Sequence, residues 1–188
     1  MEDKRENIIR SAIEEFSKYG YHGTRMENIA KRAGIGKGTI YGYFDSKKTL
    51  FYEMIKHGID EYIRGLNALL SQDKTLEEKL YDIYDFHKSY LKQFMDFRQV
   101  IMREREVLPK ELMVDILKDL KEIPHSMEKA IKEAIQKGEL RKDLNPGIAA
   151  TIIMGSMGQF YGNKVFSNED PNSKEIGDLI DTLLRGLK

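Results

Sequence analysis

Residues 24–48 read TRMENIAKRAGIGKGTIYGYFDSKK, and this stretch decides the fold of the chain. Thr24 and Glu27 have the spacing of a capping box, which predicts the start of a helix. Gly34 suits the left-handed end of that helix, and Gly36 can begin a second one. Two short helices joined by a tight turn are typical of a helix-turn-helix, whose second helix enters the major groove of DNA.

The second helix has a surface that favours contact with DNA over packing. Ile40 and Phe44 lie four residues apart, so both can face the protein interior. Each glycine lowers helix stability by about 0.5–1 kcal/mol relative to alanine, so helix propensity does not explain this sequence. Contact with DNA does explain the sequence of this helix, because hydroxyls and a cation can bind phosphates and base edges. The alternative is a surface helix whose tyrosines cover a neighbouring core. The residues of this surface are Lys37, Gly38, Thr39, Tyr41 and Tyr43.

Residues 29–50, IAKRAGIGKGTIYGYFDSKKTL, resemble the signature of tetracycline-repressor-like (TetR family) transcriptional regulators. The resemblance extends over about residues 5–55 and is far more specific than a bare helix-turn-helix pattern. It implies a recognition helix that includes Lys37, Thr39, Tyr41 and Tyr43. Thr24, Arg25 and Lys48 match positions that hold the DNA backbone, and the adjacent Lys47 completes the predicted DNA-binding set. The chain departs from the family pattern at Arg25, where a small hydroxyl residue is common, and at Gly36, where serine is common.

Composition limits the other classes of function. The 188 residues include no cysteine, which excludes a disulfide framework, a thiolate nucleophile and a zinc–thiolate site. We expect a cytoplasmic protein with no membrane partner, because no apolar run is long enough to span a bilayer and the charged amino terminus lacks a secretory core. Residues 1–50 hold ten Lys/Arg and seven Asp/Glu (10 − 7 = +3), and the remainder holds 21 and 24 (21 − 24 = −3). A basic amino-terminal part is what a DNA-binding head requires.

Helical periodicity continues along the whole chain and predicts an all-α fold of about nine helices. A three-helix head over residues 1–46 begins with a helix from 4 to 19, closed by Gly20. A ligand-binding and dimerisation body over residues 47–188 begins with a long helix from 47 to 70, capped by Ser46. Gly58 and Gly65 are weak points of that helix.

Later helix signals in the body are local ones. Thr75 and Glu78 form a second capping box, and the helix that they begin reaches Phe94. A shorter helix is predicted at 100–107 and another from Pro109, with a break at Pro124 and a restart near Ser126. Gly138 closes that segment, Asn145 and Pro146 begin a helix to about Phe166, and a last helix follows the polar loop 167–173.

The last two helices predict a homodimer. Small residues allow close approach of helix backbones, and an apolar stripe at the end of the chain needs a cover. The alternative is that these helices complete the core of one subunit. Family resemblance favours the dimer, whose two heads would contact the halves of a near-palindromic operator. The predicted interface residues are Ile152, Gly155, Ser156, Gln159, Leu179, Ile180, Leu183 and Leu184.

The resemblance also implies an effector pocket among the middle helices. These helices are rich in methionine and aromatic residues, which suit a pocket for flexible apolar or aromatic molecules. His87, Tyr90 and Tyr161 are the predicted polar anchors. The predicted lining is Tyr84, His87, Tyr90, Phe94, Met102, Met113, Ile116, Leu117, Met154, Met157 and Tyr161.

These features together predict a ligand-responsive transcriptional regulator, and a repressor rather than an activator, because repression needs only occlusion of a promoter. The alternatives are a helical interaction module, which would bind DNA without sequence preference, and a helical-bundle metalloenzyme. Only Glu122 and His125 have the spacing of di-iron ligands, and no phosphate loop or nucleophile elbow is present. We therefore expect no enzymatic activity, no cofactor and no bound metal.

Overall fold

The protein is represented by a computed structural model that describes residues 4–103, 114, 118, 122–167, 169 and 171–187; of residues 91–103, 122, 165, 166 and 187 it describes the helical backbone. Within these residues the fold is all-α, as predicted, with eight helices and no strand. No described helix combines the length and apolarity that crossing a membrane requires. The helices are α1 (Lys4–Gly23), α2 (Met26–Arg32), α3 (Lys37–Tyr43), α4 (Lys47–Leu70), α5 (Leu76–Arg103), α6 (Glu122–Lys137), α7 (Pro146–Phe166) and α8 (Ser173–Leu187).

The chain divides into two compact units, one formed by residues Met1–Glu61 and Leu91–Asp119, the other by residues Tyr62–Tyr90 and Leu120–Lys188. One dividing point lies inside α4, whose 24 residues span about 36 Å at 1.5 Å per residue. The boundary that the sequence predicts between residues 46 and 47 stays a prediction.

The turn between α2 and α3 forms as the sequence predicts. Gly34 has a φ of 68°, the left-handed conformation that favours glycine at a helix end. The backbone N–H of Ile35 donates to the carbonyl of Ala30 at 3.0 Å, which closes the end of α2. Gly36 is the N-cap of α3 in extended conformation. The helix-turn-helix geometry is therefore confirmed.

The capping box predicted for Thr24 and Glu27 is wrong. The N-cap of α2 is Arg25, without a side-chain capping bond. The Thr24 hydroxyl instead lies beside the carbonyls of Glu15 (3.0 Å) and Gly20 (2.7 Å) of α1. Gly20 interrupts α1 with a φ of 68° and a ψ of 176°, although helix resumes up to Gly23. A break in a helix leaves carbonyls without intrahelical partners, and Thr24 donates to one of them.

An ion pair ties α2 to α1. Glu15 is 5% exposed, and its carboxylate accepts a hydrogen bond from the Arg32 Nε at 2.8 Å. The same guanidinium binds the carboxylate of Glu14. Arg32 therefore joins the end of α2 to two successive residues of α1.

The predicted caps of the longer helices are confirmed. The N–H of Thr49 donates to the Ser46 hydroxyl at 3.0 Å at the start of α4. Thr75 and Glu78 exchange the two bonds of a capping box at the start of α5. The N–H of Ile148 donates to the Asn145 side chain at 3.1 Å at the start of α7.

Two predicted helix limits in the body are wrong. A separate helix from residue 100 was expected, but α5 continues through that point to Arg103. A break at Pro124 and a restart near Ser126 were expected, but α6 runs from Glu122 to Lys137 through both residues. Of the helix predicted from Pro109, the structure describes Val114 and Lys118, and both are helical.

Candidate functional site

Helix α3 separates a buried face from an exposed one, as the sequence predicts. Ile40 is fully buried and Phe44 is 2% exposed, and both belong to the core of the first unit. Tyr41 and Tyr43 are 44% and 42% exposed. Lys37, Gly38 and Thr39 are exposed as well. Neither tyrosine belongs to the buried core, and the exposed face of α3 carries two tyrosines, a cation and a threonine.

Side chains of α1 fix the position of α3. The Arg5 guanidinium lies 5.4 Å from the centre of the Phe44 ring and donates to the Glu53 carboxylate of α4 at 2.8 Å. The Asn7 side chain donates to the carbonyl of Ala33 at 3.1 Å, in the turn before α3. The described contacts of Arg5 are therefore with the end of α3 and with α4 of the same head. Asn7 gave no sequence signal.

The predicted phosphate-binding residues fall into two groups. Arg25 and Lys48 are exposed. Thr24 is 1% exposed. The Lys47 ammonium donates to the carbonyls of Tyr21 at 2.7 Å and Thr24 at 2.9 Å. The side chains of Arg25 and Lys48 are thus accessible to DNA in this conformation. The Thr24 hydroxyl and the Lys47 ammonium instead make hydrogen bonds to backbone carbonyls of the head.

The lysine that begins α3 is paired with an acid of α2. The Lys37 ammonium donates a hydrogen bond to the Glu27 carboxylate. This bond and the attraction between the two charges raise the pKa of Lys37 and lower the pKa of Glu27. This pair was not predicted from the sequence, although the charges lie at the starts of two successive helices.

These features define a helix-turn-helix protein with an exposed recognition helix, and comparison with known proteins gives its family. Residues 8–54 match the model of bacterial regulatory proteins of the tetR family. Residues 73–162 match the model of the tetracyclin repressor-like C-terminal domain. The two models together cover more than half of the chain, which belongs to the TetR family of transcriptional regulators.

Individual relatives agree with this assignment. The fatty acid metabolism regulator protein of Bacillus subtilis is 29% identical over 162 residues, which are 86% of this chain and 84% of the relative. IcaR, the negative transcriptional regulator of the icaADBC biofilm operon of Staphylococcus aureus, is 27% identical over 148 residues, 75% of this chain and 73% of IcaR. The crystal structure of the transcriptional regulator FadR from Bacillus subtilis in complex with stearoyl-CoA superposes with a TM-score of 0.73 at 25% identity, covering 97% of this chain and 99% of that one.

Several predicted pocket residues lie in the second unit. Tyr84 and Tyr161 are 3% and 5% exposed, and their rings meet edge to face with centroids 6.0 Å apart. The Tyr161 hydroxyl donates to the carbonyl of Lys88 at 3.2 Å. Met157 is 4% exposed and Met154 is half-buried. The side chains of Phe94 and Met102 are not among those described, and Met113, Ile116 and Leu117 lie outside the described residues, so the pocket stays a prediction.

An aromatic cluster joins α4 to α5 around His87, a predicted anchor. The Tyr62 ring lies 5.6 Å from Phe86, 5.3 Å from His87 and 5.2 Å from Tyr90, measured between centroids. The Tyr62 hydroxyl and the His87 Nε2 form a hydrogen bond. Burial lowers the pKa of His87 and raises the pKa of Tyr62. The sequence singled out His87 and Tyr90 and missed Tyr62 and Phe86.

The burial of His87 predicts a loss of stability in acid. The pKa of His87 is lowered in the folded state, so the unfolded chain binds a proton first as the pH falls. The contribution of neutral His87 to the free energy of unfolding is therefore complete above the pKa of the unfolded chain, about 6.5. It declines below that pH, by at most about 2 kcal/mol at about pH 5. Urea unfolding of the wild type and of His87→Gln, at about pH 5 and at a pH above about 6.5, would measure this loss of stability. An equal loss in acid for both proteins would contradict the prediction.

Gly65 is required by the same cluster. A Cβ at this position would lie 2.6 Å from the Phe86 Cε2, so the ring occupies the space of a side chain. We expect Gly65→Ala to destabilise the protein by about 1–3 kcal/mol, the usual cost of overpacking, although alanine favours helix. Gly186 is the control, since no atom of the described residues lies within 4 Å of a Cβ added there. Thermal unfolding of both alanine variants tests this, and a stabilised Gly65→Ala would contradict it.

The predicted dimer residues separate by exposure. On α7, Ile152 is 46% exposed, Gly155 and Gln159 are exposed, and Ser156 is half-buried. Ile148, one turn earlier, is 60% exposed. On α8, Ile180 is fully buried and Leu184 is 4% exposed within one subunit, so these two side chains belong to the subunit's own core. Leu179 and Leu183 are half-buried.

One further group of side chains was not recognised in the sequence. Glu6, His57 and Glu61 place one potential metal-ligand atom each within 4.8 Å of one another. Glu6 also binds Arg10 at 2.8 Å, and His57 lies 3.6 Å from Glu61. The i,i+4 spacing of His57 and Glu61 on α4 was the available signal.

Proposed function

We propose that this chain is a repressor that binds a near-palindromic operator as a homodimer and is released by a long-chain acyl-coenzyme A thioester. The observation that carries the proposal is the exposed face of α3, on which two tyrosines and Lys37 stand away from a fully buried Ile40. In a helix-turn-helix, side chains of this kind reach base edges, while neighbouring cations hold phosphates. We assign base contacts to Tyr41, Tyr43, Thr39 and Lys37, and phosphate contacts to Arg25 and Lys48.

The exposed apolar stripe of α7 supports the homodimer. Ile148 and Ile152 are separated by one helical turn, and Gly155 adds no side chain between α7 and a partner helix. Contact between two such stripes would bury both pairs of isoleucines. Two recognition helices held at a fixed separation would then bind two half-sites of related sequence.

Two relatives support the proposed effector class. The Bacillus subtilis relative is a regulator of fatty acid metabolism, and FadR was crystallised with stearoyl-CoA. A long acyl chain is flexible and apolar, which suits the methionine and aromatic residues predicted to line the pocket. The effector would release DNA because it binds more tightly to a conformation in which the two heads do not fit the operator. We assign transmission of that change to α4, which contains residues of both units.

Duplex selection from a random pool, followed by fluorescence anisotropy, tests the proposal. The dimer should enrich a near-palindromic site and bind it much more tightly than a scrambled duplex of equal length. Stearoyl-CoA should release the site, whereas free coenzyme A should not. Absence of an enriched site would refute DNA recognition, and enrichment without release by the thioester would refute only the effector. Lower transcription from a promoter that overlaps the site distinguishes repression from activation.

A further inference from the structure

The ion pair between Glu27 and Lys37 lies where α2 and α3 both begin. Glu27 is the second residue of α2 and Lys37 is the first residue of α3. Their side chains are 55% and 63% exposed. The pair is therefore part of the solvent-facing surface of the helix-turn-helix, and any duplex against the start of α3 meets an acid and a base together.

Both partners keep their charges at neutral pH. The hydrogen bond and the opposite charge favour the ammonium of Lys37 and the carboxylate of Glu27. Because exposed ion pairs are weak and screened by salt, the pair can exchange when a better acceptor is near.

The Lys37 ammonium has more donors than Glu27 uses. An ammonium has three N–H donors, and Glu27 uses one of them. The two others remain to donate to a guanine edge, which presents the O6 and N7 acceptors close together in the major groove. A phosphate would compete with the Glu27 carboxylate for the same ammonium, and a carboxylate left without Lys37 would repel the phosphates.

We propose that Glu27 is a specificity-determining residue that holds Lys37 in place for a base edge and withholds it from the phosphates of unrelated sequences. This inference rests on the proposed function, since it concerns the same recognition surface. Glu27 lowers binding to random DNA without lowering binding to the operator. The ratio of operator affinity to random-DNA affinity is therefore larger than it would be if Lys37 acted without Glu27.

Glu27→Gln tests this role, because glutamine keeps the shape and removes the charge. A freed Lys37 adds one phosphate contact per subunit, and thus two per dimer, on a scrambled duplex, which steepens the slope of log K against log salt by about 1.8. That slope corresponds to about sixtyfold tighter binding to the scrambled duplex at about 0.1 M salt relative to 1 M. Operator affinity should stay within about twofold. Anisotropy titrations with both duplexes over a range of salt concentrations give all these quantities.

A double-mutant cycle shows whether Glu27 acts through Lys37. In the Lys37→Gln background, Glu27→Gln should no longer change binding to the scrambled duplex. Asp45→Asn is the matched control, since Asp45 is an exposed acid two residues after α3. It should leave the ratio of operator to scrambled affinity unchanged.

The outcomes separate the alternatives. Equal tightening on both duplexes, or an effect of Glu27→Gln that persists without Lys37, would show simple charge repulsion and overturn the inference. Unchanged binding of Glu27→Gln to both duplexes would overturn it as well. If the wild type itself does not prefer the selected operator, the proposed function fails, whatever the variants do.

Discussion

Replacement of both Tyr41 and Tyr43 by alanine should weaken operator binding by at least about 100-fold, because a base contact is worth about 1–3 kcal/mol and each dimer carries the change twice. Both side chains are exposed, at 44% and 42%, and neither is among the buried residues of the core. Folding should therefore be preserved, with a change in stability within about 0.5 kcal/mol per site, as for most surface substitutions. Anisotropy against the selected operator measures the loss, and urea unfolding measures stability.

The matched control for the tyrosine variant is Tyr81→Ala. Tyr81 is 39% exposed and belongs to the second unit, so its removal tests the general effect of losing a surface tyrosine. It should bind the operator like the wild type. Retained operator affinity of the Tyr41/Tyr43 double variant would refute the assignment of α3 as the recognition helix.

Ile152→Asp should convert the protein to a monomer and thereby weaken operator binding by about 100-fold or more. Linkage of two binding modules raises overall affinity by about 10²–10⁴, and an aspartate within a closed apolar contact would lack a partner for its charge. Ile152 is 46% exposed in the single subunit, so each subunit should still fold. Analytical ultracentrifugation measures the state of assembly, and anisotropy measures the affinity.

Val114→Asp controls for the introduction of a charge at an exposed aliphatic residue. Val114 is 64% exposed and lies outside α7. This variant should remain a dimer with wild-type operator affinity. A dimeric Ile152→Asp protein would show that the stripe on α7 is not the contact between subunits.

Local signals in the sequence predicted most helix starts correctly. Ser46, Thr75 and Asn145 each cap the helix that follows, because such bonds involve residues only three positions apart. Gly34 ends α2 for an equally local reason. The exposed face of α3 was predictable as well, since the four-residue spacing of Ile40 and Phe44 fixes which face of a short helix is buried.

Contacts between distant residues explain what the sequence did not predict. Thr24 was expected to cap α2, but its hydroxyl turns to α1, where it lies beside the carbonyls of Gly20 and of Glu15, nine residues earlier. Gly65 was interpreted as a point of weakness, whereas the ring of Phe86, 21 positions later, fills the space beside it. Ile180 was placed in the dimer contact by its apolar spacing. That spacing shows that a face is covered, without showing whether the subunit's own helices or another subunit cover it.

The bond between Arg32 and two glutamates of α1 restricts how this chain can vary. Lysine presents a single ammonium and cannot reproduce a planar fork that joins the nearly buried Glu15 and the exposed Glu14. A neutral residue at position 32 would leave the Glu15 carboxylate enclosed without its cation. Divergence at position 32 therefore requires a compensating change at position 15, and the two should be replaced together in homologous sequences.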